Sequence, residues 1–127
     1  MITSKLDRKE VLKVLFPSPE LFLFITGLAG SARDTAYLTQ DGENVFTMAG
    51  TMGAAISMGL GVALSAPEKS VIVVSGDGEI LMNLGALVTV ATMASPNLSI
   101  ICIDNQCHGE TGGQPSHTSK QTDLAKI

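Results

Sequence analysis

Residues 71–83 read Val71-Ile72-Val73-Val74-Ser75-Gly76-Asp77-Gly78-Glu79-Ile80-Leu81-Met82-Asn83. The uncharged β-branched run at 71–75 reads as a strand buried on both faces. Gly-Asp-Gly then turns the chain, and the apolar stretch over residues 80–94 reads as a helix. Pro96-Asn97 ends that helix, and residues 98–103 read as a second buried strand. A right-handed crossover makes the two strands parallel, with both C-terminal ends at one sheet edge. Asp77 follows the first strand and Asp104-Asn105 the second, so their oxygens emerge on that rim, where open α/β sheets bind ligands.

The pattern extends in both directions. Upstream, residues 7–16 read as an amphipathic helix ended by Pro17 and Pro19. Residues 21–25 read as a strand, and Thr26-Gly27-Leu28-Ala29-Gly30 as a Gly-rich turn opening on the same rim. A helix then begins at Ser31, with Ser31 and Asp34 in a capping-box pattern. Asp41-Gly42 is a turn, and residues 45–47 form a short strand. A helix over residues 51–66 carries a small stripe, Gly50, Ala54, Ser57 and Gly61, beside a bulky row, Met52, Ile56, Leu60 and Leu64. Small faces let another backbone approach closely. Downstream of Asp104 the chain is polar and Gly-rich, and a last helix is expected near Thr122. The fold class is α/β, a parallel sheet with helices on both faces. One domain is expected over residues 1–127: a helix and connector at 1–20, and the α/β core at 21–127.

Composition removes several functions. Among 127 residues, 45% are hydrophobic and 16% charged, so the chain is not disordered. It can bury roughly 65% of its unfolded surface. A net charge of -4 without a basic block argues against nucleic acid and anionic membranes. No Trp is present, and aromatics are 4%. Cys102 and Cys107 form no C-x-x-C, so a disulfide scaffold, zinc site or iron–sulfur cluster lacks ligands, and free buried thiols in a reducing cytoplasm are expected. The uncharged run at 48–66 barely reaches the roughly 20 residues of a membrane span and is read as a buried helix. There is no P-loop, Gly59-Leu60-Gly61 sits inside a helix rather than after a strand, and no Ser-His-Asp set is legible.

At the rim, Gly76 and Gly78 allow an anion close to the backbone, and a helix start offers free N–H groups. Asp77 and Asn105 offer hard oxygens that suit Mg²⁺ better than zinc. The residues alone leave two readings open: a Mg²⁺–diphosphate site, or an ordinary strand-to-helix turn with Asp as a cap.

Gly76-Asp77-Gly78 followed by Asp104-Asn105 resembles the thiamine diphosphate fingerprint. Ala49-Gly50-Thr51-Met52-Gly53, Glu79-Ile80-Leu81-Met82-Asn83-Leu84-Gly85, and Gly112-Gly113-Gln114-Pro115-Ser116-His117-Thr118 extend the likeness to sulfopyruvate decarboxylase beta subunits and phosphonopyruvate decarboxylases. The resemblance implies thiamine diphosphate and Mg²⁺ as cofactors. It implies metal ligands Asp77, Asn105 and the Cys107 carbonyl. Diphosphate contacts are implied from Gly76, Gly78 and Glu79, helped by Thr26-Gly27. Met52 is implied to prop the cofactor's bent shape, and the Gly50 carbonyl to accept from its amino group. Asp104 stands where Asn is common, and Glu79 must point away from the diphosphate.

The family's pyrimidine-protonating glutamate belongs to a separate domain, and Glu43, Glu68 and Glu110 lie in no matching context. A pyrimidine-binding alpha subunit is therefore expected as partner, with self-association, a small anionic 2-oxo acid substrate and a cytoplasmic location. His108, His117, Lys120 and Arg33 are read as solvated loop polars, with a contact to the substrate anion as the alternative. The chain is expected to be shortened at its C-terminus, leaving the sheet short of an edge strand. Other outcomes are a phosphonopyruvate decarboxylase, acetolactate-synthase-like or oxo acid oxidoreductase subunit, or a non-catalytic scaffold.

Overall fold

The computed structural model describes residues 6–127. Asp7 caps α1 (Arg8–Leu15), its side chain accepting from Lys9 N at 2.8 Å and Glu10 N at 3.4 Å. A short 3₁₀ turn (Pro19–Leu21) leads into β1 (Phe22–Thr26), α2 (Ala29–Thr39) and β2 (Val45–Thr47). Then come α3 (Ala55–Ser65), β3 (Ser70–Gly76), α4 (Asp77–Met82), α5 (Gly85–Met93) and β4 (Leu98–Ile103). A two-stranded hairpin, β5 (Cys107–His108) and β6 (Gln114–Pro115), follows.

The four long strands form one sheet in the order β2-β1-β3-β4, every pair parallel. Thr26 pairs with Thr47 and Val74, and Gly76 with Ile103, which puts all the strand C-termini on one rim. The expected parallel α/β fold is the one observed. β3 is buried over five successive residues because both its faces are covered. On one face, Val71 and Val73 meet Ala55, Ile56 and Ala63 of α3, with Ile80 and Ala86. On the other, Ile72 and Val74 meet Phe24 and, from α1, Leu12 and the adjoining Phe16. The Phe16 ring stands edge-on to Phe24 at 5.2 Å.

Several expectations change. α3 starts at Ala55 rather than residue 51, because Gly50 and Gly53 take φ of +78° and +79° and keep residues 50–53 in a loop. Gly50 is thus off the helix. The close approach is made by Gly59, where a Cβ would lie 2.2 Å from Val73 Cγ2, while Gly61 faces open space. In the bulky row, Ile56 and Leu60 are buried, but Met52 and Leu64 are exposed.

The helix expected over 80–94 is two helices. The break falls at Asn83, whose Nδ2 donates to the Gly53 carbonyl at 2.8 Å. The Ser31–Asp34 capping box does not form: α2 begins two residues earlier, and Asp34 instead pairs with Arg8. The helix expected near Thr122 is one 3₁₀ turn (Leu124–Lys126).

Candidate active site

Two loops and a hairpin meet at the rim. The turn from β3 into α4 buries Asp77 to 1% exposure. Both hydrogen bonds to its carboxylate land on Oδ2, from the hydroxyls of Ser116 and, at 3.0 Å, Thr118. Thr118 Oγ1 also lies 2.8 Å from Asp104 Oδ1. These contacts tie the segment after β6 to the ends of β3 and β4. Among the described residues no Lys or Arg pairs with Asp77 or Glu79. A buried carboxylate without a counter-ion carries a large desolvation cost that a cation would relieve.

After β4 the chain folds on its own side chains. Asp104 Oδ1 accepts from Gln106 N at 3.0 Å, and Asn105 Oδ1 from Cys107 N at 3.1 Å. Gln106, between Asn105 and Cys107, has φ +62°, a strained conformation of the kind that gathers at ligand sites. Cys107 lies opposite Pro115 in a pair next to the Ser116 N to Gln106 O bond, a non-hydrogen-bonded position from which its carbonyl turns out of the hairpin ladder. The neighbouring carbonyls are taken, Gln106 O by Ser116 N and His108 O by Gly113 N, both at 2.9 Å.

Glu79 turns inward. Its Oε2 accepts from Leu28 N at 2.9 Å and Ser75 Oγ at 3.3 Å, and Oε1 is buried without a partner among the described residues. The carboxylate fills the space beside Gly27, where a Cβ would come within 1.7 Å of Oε2. Its side chain therefore leaves the outer side of the α4 turn clear, with the first N–H groups of that helix free of intrahelical partners.

A cavity of about 260 Å³ opens between these loops. It is lined by Met52, Gly76, Asp77, Gly78 and Glu79, together with Asn105 and Cys107 from the facing loop. Seven of the ten expected site residues thus share one space. Thr26, Gly27 and Gly50 do not line it. Thr26 is fully buried, its hydroxyl donating to Gly27 O at 3.1 Å, and Gly27 N donates to Val74 O. The turn reaches the cavity one residue later, through residues 28–31. Gly50 sits in the exposed loop before α3.

The two histidines separate. His108 lines the cavity with its ring against Gly78, where a Cβ would meet Cε1 at 2.5 Å, whereas His117 lies with Lys120 in a different recess. Arg33 and Glu110 both line the cavity and pair at 2.9 Å between exposed side chains. Sequence reasoning missed Arg8 altogether, and although Ser116 and Thr118 stand in the quoted 112–118 stretch, it gave them no role, because the carboxylates they meet lie far away in sequence. The cysteines are not the buried thiols expected: Cys102 is exposed on β4 and Cys107 half-buried, yet partial desolvation, then the carboxylates of Asp104 and Asp77, push the Cys102 thiol up to about 11.

The donor set suits a Mg²⁺-bound diphosphate. Among the described residues Asp77 Oδ1 takes no hydrogen bond, the Asn105 amide oxygen keeps a second lone pair, and the Cys107 carbonyl has no ladder partner, so three residues that line one cavity each carry an available hard oxygen. No group of three or more His, Cys, Asp and Glu that could hold a metal by itself occurs among the described residues. An anion's oxygens would have to complete the shell.

Comparison with known proteins bears on the family of the chain. The chain is 50% identical over 91 residues to the sulfopyruvate decarboxylase subunit beta of Methanocaldococcus jannaschii, covering 72% of this chain and 48% of that one. The corresponding subunit of Methanothermobacter thermautotrophicus is 44% identical over 109 residues, 86% of this chain and 58% of that one. Phosphonopyruvate decarboxylase of Streptomyces viridochromogenes is 42% identical over 95 residues, 75% of this chain and 24% of that one. The chain spans about half the length of the two beta subunits. Residues 28–126, from the loop after β1 to the last turn, match the family described as thiamine pyrophosphate enzyme, C-terminal TPP binding domain, and the chain belongs to that family.

Proposed function

We propose that residues 1–127 form one cofactor-binding domain, the diphosphate-binding part of a thiamine diphosphate-dependent 2-oxo acid decarboxylase of the sulfopyruvate decarboxylase kind. The observation that carries this reading is the convergence of Asp77, Asn105, Cys107 and the first turn of α4 on one cavity, with Asp77 buried and lacking a counter-ion. In this reading Asp77, Asn105 and the Cys107 carbonyl hold Mg²⁺. The Gly78 and Glu79 amides hold the diphosphate. Beside Gly76 the space is open, since a Cβ there would meet nothing within 4 Å, and residues 28–31 line the same cavity. Met52 shapes the cavity floor, and the Gly50 carbonyl accepts from the cofactor's amino group.

The bound cofactor supplies an electron sink for the electrons released as carbon dioxide leaves a 2-oxo acid. The substrate is a small 2-oxo acid with a second anionic group, a sulfonate or a phosphonate. The pyrimidine-protonating glutamate comes from an alpha subunit, a division supported by the name of the beta-subunit relatives. Free Cys102 and Cys107 support a reducing, cytoplasmic setting.

Calorimetric titration of thiamine diphosphate with Mg²⁺ tests the site, with Asp77→Ala expected to weaken binding at least a hundredfold. Equal affinity of variant and parent would overturn the assignment.

A further inference from the structure

Arg8 opens α1, where a cation opposes the helix dipole. Nothing in its own turn explains it there. Its Nε donates to the buried carboxylate of Asp34 on α2, which is 2% exposed. That ion pair accounts for Nε alone, and Nη1 and Nη2 have no hydrogen-bond partner among the described residues. The guanidinium lies against Gly30, where a Cβ would meet Cζ at 2.7 Å, Nη1 at 2.8 Å and Nη2 at 2.9 Å. Arg8 and Gly30 both line the cavity that the α4 turn also lines.

A guanidinium fixed through Nε, with its other two nitrogens free at an anion-suited cavity, is a ready fork for an oxyanion. We infer that Arg8 is an oxyanion-binding residue of this cavity, oriented by Asp34 and given room by Gly30, and that it takes a phosphoryl or sulfonyl group. The inference rests on the reading that the cavity accepts a diphosphate. The oxyanion has two possible sources, the cofactor's phosphate or the substrate's second acidic group.

Calorimetry with Mg²⁺ and inorganic pyrophosphate, then with sulfoacetate on the pyrophosphate-loaded chain, separates them. Arg8→Gln is expected to weaken one of these probes about tenfold, as loss of a charge-assisted pair does. Weakened pyrophosphate assigns the cofactor's phosphate, and weakened sulfoacetate alone assigns the substrate. Gly30→Ala, which keeps both charged partners, should weaken the same probe by pushing the guanidinium aside, with no further loss in the Arg8→Gln background. It carries the test if Arg8→Gln fails to fold.

Amide shifts of Gly78 and Glu79 on adding pyrophosphate report the turn independently. If they persist while Gly30→Ala and Arg8→Gln bind both probes like the parent, Arg8 has no such role and the diphosphate site stands. If they are absent in the parent, both readings fall.

Discussion

Gly27 has room for a hydrogen and nothing larger, because the Glu79 carboxylate occupies the place of a side chain there. This shows where Glu79 goes at the turn proposed to hold an anion: it faces inward and fixes Leu28 N, joining the β1 loop to the α4 turn. Thr118 has a comparable task for Asp77, holding Oδ2 so that Oδ1 stays open. Asp104, in place of the usual Asn, has its Oδ1 2.8 Å from the same hydroxyl and shares or competes for its one proton. Thr118→Val keeps the shape and removes that hydroxyl. It should weaken Mg²⁺-dependent pyrophosphate binding by about tenfold, while Thr118→Ser restores it to within about threefold, as read by calorimetry. A merely structural contact would not respond to the hydroxyl in this way.

Cys102 offers a pH readout of the same carboxylates. Partial desolvation and two negative neighbours disfavour the thiolate, so its formation moves up to about 11. Cys102 is exposed, so reagent access is not limiting, and at pH 8 its alkylation in the folded protein should be slower than in the urea-unfolded chain. The folded-state rate should climb with pH up to that range. Asp104→Asn should lower the range and speed the reaction, followed by mass spectrometry of the Cys102 peptide.

At the scale of elements, what was legible is what chain-local physics dictates. The uncharged β-branched run of β3 and the apolar β4 announced themselves as strands, and the Gly-Asp-Gly turn between β3 and α4 followed, but β4, expected to be buried like β3, lies at the edge of the sheet and none of its residues is buried. Their parallel pairing then placed Asp77 and Asn105 on one rim before any coordinates. The break at Asn83 did not show, because the apolar pattern runs through it and the cause is a long-range bond to the Gly53 carbonyl. The clamp by Ser116 and Thr118 and the Arg8–Asp34 pair were equally hidden, since each joins segments far apart in sequence.

α3 shows how a true feature can be read on the wrong residues. A small residue does meet the sheet, but it is Gly59, set by where the helix starts rather than by the stripe. Gly59→Ala should gain up to about 1 kcal/mol of helix propensity and lose about 1–3 kcal/mol to overpacking against Val73. The net is a lower Tm. In a Val73→Ala background the added methyl has space, so Gly59→Ala should become neutral or stabilising, which thermal unfolding of the double-mutant cycle measures.

For the molecule as a whole, the question is whether this chain holds a complete catalyst. The proposed decarboxylation needs a carboxylate free to share a proton with the cofactor's pyrimidine ring. Glu79 is committed to Leu28 N and Ser75 Oγ inside the fold, and Glu110 pairs with Arg33 at the cavity mouth. Glu10 pairs with Lys13 on α1, and Glu20, Glu43 and Glu68 are exposed without lining the cavity. The only glutamates at the cavity are thus spoken for, one of them by a contact that builds the site's own wall. The chain alone should therefore bind Mg²⁺ and pyrophosphate yet release no carbon dioxide from sulfopyruvate or phosphonopyruvate. Adding a pyrimidine-binding subunit that carries the glutamate should start release. Replacing that glutamate by Gln should abolish turnover while leaving pyrophosphate affinity within about twofold, because the two halves of the site bind different ends of the cofactor. Turnover by this chain alone, measured as carbon dioxide evolved without a second subunit, would overturn the division of labour.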